Sequence, residues 1–100
     1  MDDIVAEIIG TSIPKLLDFK ISRNGELILA RRLSDNDGDI IELNEDATRT
    51  LSLCDGRNDI NAITKAIVQQ HKDAEFKTVR NDIIKLICSL EGAKIITTNY

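Results

Sequence analysis

The chain has 100 residues, 42% of them apolar and 30% charged, which supports one domain with a core able to fold without disulfides or metals. Its formal net charge of −4 argues against a polyanionic partner, because nucleic-acid binding depends on neutralising phosphates with Lys and Arg. Three aromatic residues, Phe19, Phe76 and Tyr100, are too few for a base-stacking platform, and no apolar run is long enough to cross a bilayer.

The start, Met1-Asp2-Asp3, lacks the basic and apolar pattern of a signal peptide, so the expected compartment is the cytoplasm. Ile4, Val5, Ile8 and Ile9 fall at helical spacing, but Gly10 and Pro14 confine the pattern to about two turns, a length marginal in isolation. Residues 1–14 are therefore expected to be separable from a domain over 15–100, as either a docked accessory helix or a mobile arm. Leu17, Phe19 and Ile21 then alternate with Asp18, Lys20 and Ser22, the mark of a half-buried strand. Asn24-Gly25 is a two-residue hairpin signal, and a second strand follows from Glu26 to about Leu33. The turn formers Ser34-Asp35-Asn36-Asp37-Gly38 end it, and a third strand, Asp39 to Leu43, completes an antiparallel meander.

Three helices come next. Asn44 is placed to cap the first, with Glu45 and Asp46 at the positive end of its dipole and Gly56 as the stop. Ala47, Leu51 and Cys54 share its inner face. Asp59 caps the second, whose stripe is Ile60, Ile63 and Ile67. The third runs from about Phe76 to Glu91 with Val79, Ile83, Leu86 and Leu90 inward, Gly92 at its end, and a short final strand over Ala93 to Thr97. The sum is an α+β, winged-helix-like domain: a three-stranded antiparallel meander, three helices and a short terminal strand.

Catalytic chemistry has little to work with. The one histidine, His71, sits at the polar end of the second helix, and there is no CxxC, HExxH or Gly-rich phosphate loop. Asp35 to Asp39 superficially resembles a calcium loop but lacks the late Glu and the helix–loop–helix setting. Cys54 and Cys88 both lie in apolar helical patterns and are expected to be buried hydrophobes. No catalytic residue, metal or cofactor is expected, and the function belongs to a surface that binds something.

The stretch Ile41-Glu42-Leu43-Asn44 leading into Ala47, then Leu51, Leu53-Cys54-Asp55-Gly56, Ile60 and Ile63, resembles the PqqD family. Leu27-Ile28-Leu29 before it, with Asp82-Ile83, Leu86 and Leu90-Glu91-Gly92 after it, extends the likeness over roughly residues 17–97. Proteins of this kind, the RiPP recognition elements, bind leader segments of ribosomally made precursor peptides. The resemblance implies a non-enzymatic module that captures a leader by strand addition along the third strand, against the third helix. It would present that peptide to a maturation enzyme, a radical-SAM protein in similar systems.

On these residues, the expected site is the edge Asp39, Ile40, Ile41, Glu42 and Leu43, where unpaired backbone groups await a guest strand. Lys77, Arg80, Ile84 and Ile87 occupy a helix face beside the core stripe, as a groove wall with cations for an acidic leader. The bland alternative is a helix buried on a wide face with solvated cations. Two other functions compete. A winged-helix DNA-binding regulator would read bases with the third helix, but residues 57–91 carry six basic and five acidic side chains, a feeble footprint. A structural dimerisation domain would pair the open edge with a second copy as a homodimer.

Overall fold

Caps and turns partition the chain largely where their chemistry requires. The computed structural model describes residues 3–17, 19–32 and 40–99. Within them the order is α1 (Asp3–Ile9), β1 (Ile13–Leu16), β2 (Phe19–Asn24), β3 (Leu27–Arg32), β4 (Ile41–Leu43), α2 (Glu45–Ser52), α3 (Ile60–Val68), α4 (Phe76–Gly92) and β5 (Ile96–Asn99). The protein is α+β, with an antiparallel meander in the order β2-β3-β4 and a second ladder pairing β1 with β5. No helix is long and apolar enough to cross a membrane among the described residues.

The hairpin shows how turn chemistry sets register. Asn24 pairs with Leu27, so the two-residue loop is Gly25-Glu26, one position later than Asn24-Gly25 suggests. Gly25 has φ +64° and Glu26 is not in the positive-φ region, the pattern of a II′ turn with Gly first. The meander also departs from the expected half-buried first strand: apart from a partly covered Phe19, β2 is exposed throughout. Its alternation is real, but its principal neighbour is β3, and Arg23 reaches α2 through an exposed bond to Glu45 Oε1 at 3.2 Å.

Both helix caps form as their residue types require. Asn44 Oδ1 accepts from Ala47 N at 2.7 Å, and Asp59 Oδ1 accepts from Ala62 N at 2.7 Å. Each such cap is worth about 1 kcal/mol. Because Asn44 is the sole residue between Leu43 and Glu45, β4 is joined to α2 with no slack. The end of α4 differs from expectation. Gly92 remains helical, and Lys94 takes the left-handed position at φ +60°. Lys94 N donates to Glu91 O at 3.0 Å and Ile95 N to Leu90 O at 2.9 Å, a Schellman closure sealed by the buried pair Leu90 and Ile95. The final strand therefore begins at Ile96, later than Ala93.

β1 is the element that local pattern does not reveal. It pairs with β5 from Ile13↔Asn99 to Leu16↔Ile96, and on its other side Lys15 bridges Asp55. Leu16 N donates to Cys54 O at 3.2 Å and Gly56 N to Pro14 O at 3.1 Å. α2 stops at Ser52 with Leu53 as its C-cap, ahead of the expected stop at Gly56, and the Cys54-Asp55-Gly56 segment beyond it holds a strand. β1 spans the boundary between residues 14 and 15, and α1 is docked ahead of it through the fully buried Ala6. Asn61 N donates to Gly10 O at 2.9 Å and Ile60 N to Ser12 O at 3.0 Å, fastening the segment to α3.

One core joins these layers: Ile28 and Ala30 of β3, Leu43 of β4, Leu51 of α2, Ile60, Ile63 and Ile67 of α3, and Ile83, Ile84, Ile87 and Leu90 of α4. Burying each such aliphatic side chain stabilises the fold by about 1.5–3 kcal/mol.

Candidate functional site

β4 pairs with β3 through Ile28↔Leu43, Leu29↔Glu42 and Ala30↔Ile41, and no strand lies on its other edge among the described residues. Alternation sends Leu43 into the core and leaves Glu42 exposed. Beside that open edge lies a cleft of about 740 Å³. Glu42 and Asn44 form one side, Ala47 and Thr50 of α2 lie next to them, and Val79, Asp82, Ile83 and Leu86 of α4 form the opposite wall. Ile67 of α3 and the turn over residues 70–74 close the end. The apolar surface within is aliphatic, and a pocket of this size lies in the range that takes a few side chains of a guest.

Polar contacts hold the closed end together. His71 Nε2 lies 3.0 Å from Asp46 Oδ1, and Arg49 Nη1 donates to Gln70 Oε1, so two bonds tie the first and second halves of α2 to the end of α3. Arg49 Nη1 also stands 3.9 Å from Asp46 Oδ1. These pairs are exposed and contribute little energy singly, but they fix the spacing of α2 and the α3–α4 turn. Below α2, Asp55 Oδ1 accepts from Arg57 N at 2.9 Å and Asn58 N at 3.2 Å. Those amides, Arg57's first, hold its carboxyl below the ordinary value of 3.8. The Cys54 thiol is pushed up to about 12 by burial and, second, by the Asp55 charge, and it donates to Thr50 O at 3.3 Å. A thiol so protonated is a packing group, not a nucleophile. Cys88, expected to be buried, is exposed on α4.

The expected site residues separate into two groups. Ile40 is 57% exposed just before β4, Ile41 is partly buried, Glu42 reaches the cleft, and Leu43 faces the core; Asp39 lies outside the described residues, as do Asp35 to Gly38. On α4 the structure differs from the expectation. Ile84 and Ile87 are 1% and 2% exposed and do not line the cleft. Arg80 is 5% exposed, its guanidinium 5.5 Å from the Phe76 ring centroid, and Lys77 is exposed but does not line the cleft either. The groove wall is the adjoining stripe, Val79, Asp82, Ile83 and Leu86. Periodicity could not separate the two stripes, because each repeats at helical spacing and only tertiary packing decides which meets the core. Ala47, Thr50 and Ile67 could have been found only by folding α2 and α3 against that stripe.

Fold and cleft together define a small domain with an open strand edge beside an aliphatic wall, and no cluster of metal-ligating side chains among the described residues. The chain belongs to the coenzyme PQQ synthesis protein D (PqqD) family, whose model matches residues 30–96. The matched region holds β4, α2, α3 and α4 entire, and with them every residue of the cleft. Members of that family are non-catalytic accessory proteins that bind the PQQ precursor peptide and act with a radical-SAM enzyme. No curated protein matches the chain.

Proposed function

We propose that this protein captures the leader of a ribosomally made precursor peptide as an added strand on β4, its side chains entering the cleft between β4 and α4. The captured peptide is then presented to a modifying enzyme, a radical-SAM protein in similar systems. The observation that carries this reading is the edge of β4, without a strand partner among the described residues, beside the aliphatic wall of Val79, Ile83 and Leu86. An extended guest gains ladder hydrogen bonds from such an edge and selectivity from the pockets beside it. The cleft includes no residue of β2, the other edge of the same sheet. The direct Asn44 junction supports the same reading, since an edge held at a fixed angle spares the guest ordering free energy.

The reading assigns no catalytic step to this chain. A DNA-binding role finds less support: the exposed side of α4 carries the carboxylate of Asp82, and the chain's net charge is −4. The test is a titration of the full chain, followed by backbone amide shifts, with the leader of a precursor peptide encoded beside it. Shifts concentrated at residues 41–43 and 79–86 are expected. Shifts confined to β2 or to α1 would sink the assignment.

A further inference from the structure

The charge around the cleft points to a property of its occupant. Resting on the strand-addition reading above, we propose that the guest segment is cationic, carrying Lys or Arg beside its aliphatic anchors. The lining includes four carboxylates, Glu42, Asp46, Asp73 and Asp82, against Lys72 and the imidazole of His71. All four are exposed. Asp46 is engaged by His71 and Arg49, whereas Glu42, Asp73 and Asp82 form no ion pair among the described residues.

The four carboxylates come from separate elements. Glu42 lies on the open strand, Asp46 in the first turn of α2, Asp73 in the α3–α4 turn and Asp82 on α4, so they surround the aliphatic surface from different sides. Among the described residues no cation of α4 lines the cleft: Arg80 is buried over Phe76, and the exposed Lys77 and Lys85 lie outside the lining. The whole chain's charge of −4 has the same sign. A guest strand with an aliphatic side chain toward Ile83 and Leu86 and ammonium or guanidinium groups at the rim satisfies both parts of the surface. An acidic guest meets like charge on several sides, which is penalised in specificity and in association rate. Each exposed pair contributes little and is screened by salt, so the selectivity is a joint effect of several.

The test uses the full chain and three capped synthetic peptides that share one alternating Leu/Thr framework and differ at two intervening positions, occupied by Lys, Gln or Glu. Binding is read by anisotropy and by amide shifts at about 50 mM and about 500 mM NaCl, between which the screening length falls roughly threefold. At low salt the Lys peptide should bind about tenfold tighter than the Gln peptide, with the Glu peptide weakest, and the spread should contract at high salt. In the Asp73→Asn, Asp82→Asn double variant the Lys-to-Gln affinity ratio should fall to about threefold or less. A Glu peptide that binds as well as the Lys peptide, or an unaltered ratio in the double variant, overturns the charge selection. Equal binding of all three peptides with shifts at residues 41–43 overturns that selection alone. If no peptide shifts those amides, strand addition falls as well.

Discussion

Two aliphatic stripes run along α4, built from the same residue types at the same helical spacing, and they have opposite fates. Ile84 and Ile87 are buried at 1% and 2% exposure, with Arg80 drawn in beside them at 5%. Val79, Asp82, Ile83 and Leu86 face the cleft, and Val79 and Leu86 keep part of their surface in water. The first stripe is enclosed by other core side chains, while the second packs on the core through the buried Ile83 and turns Val79 and Leu86 toward β4 and α2 across the cleft. Composition does not assign these roles; what lies opposite does. A partly covered aliphatic row beside an open strand is the more costly arrangement for a free protein, and such surfaces mark binding sites.

Four substitutions test that division. Ile84→Ala should have the largest effect, a loss of about 2–5 kcal/mol of stability by urea unfolding, because it opens a cavity in a filled core. Leu86→Ala should change stability by less than about 1.5 kcal/mol and instead weaken guest binding about tenfold, as removal of partly exposed anchoring surface implies. Reversal of those two outcomes would return the groove to the other stripe. Lys94→Gly relieves the left-handed backbone at the end of α4 and should raise stability by about 1 kcal/mol without altering binding, so it acts on neither stripe. Arg80→Met should lie within about 1 kcal/mol of the parent in stability, because it removes a buried guanidinium whose Nε lacks a partner along with its contact to Phe76. It should leave guest affinity intact; a marked loss would restore Arg80 to the site.

What could be read from sequence was what depends on near neighbours. Asn44 and Asp59 cap their helices with the bonds their spacing implies, because a cap involves only the next three residues. Ile41 to Leu43 form the third strand of the meander for an equally local reason. The hairpin was legible to within one residue, since a Gly with positive φ suits either register of the loop until cross-strand pairs choose. β1 was not legible: Pro14 looks like a helix boundary, and the partners that make Ile13–Leu16 a strand lie at Asp55 and Ile96–Asn99. The candidate site divided along the same line. The β4 edge falls on Ile41-Glu42-Leu43, while the α4 residues that line the cleft are Val79, Asp82, Ile83 and Leu86 and not Ile84 and Ile87, because two equivalent periodicities share α4.

The β1 ladders bear on the lifetime of the fold. Ile13 pairs with Asn99 and Lys15 with Asp55, contacts between residues that are remote in sequence. Closing loops of that length is entropically expensive, so these contacts are expected to form after the local helices and hairpin. Interactions made after the folding transition state retard escape from the native state without hastening arrival. Weakening β1, for example by Lys15→Gly, should therefore steepen neither the approach to the native state nor its barrier, yet release the domain sooner. On that account, the clasp sets how long the folded domain, and with it the β4 edge, persists.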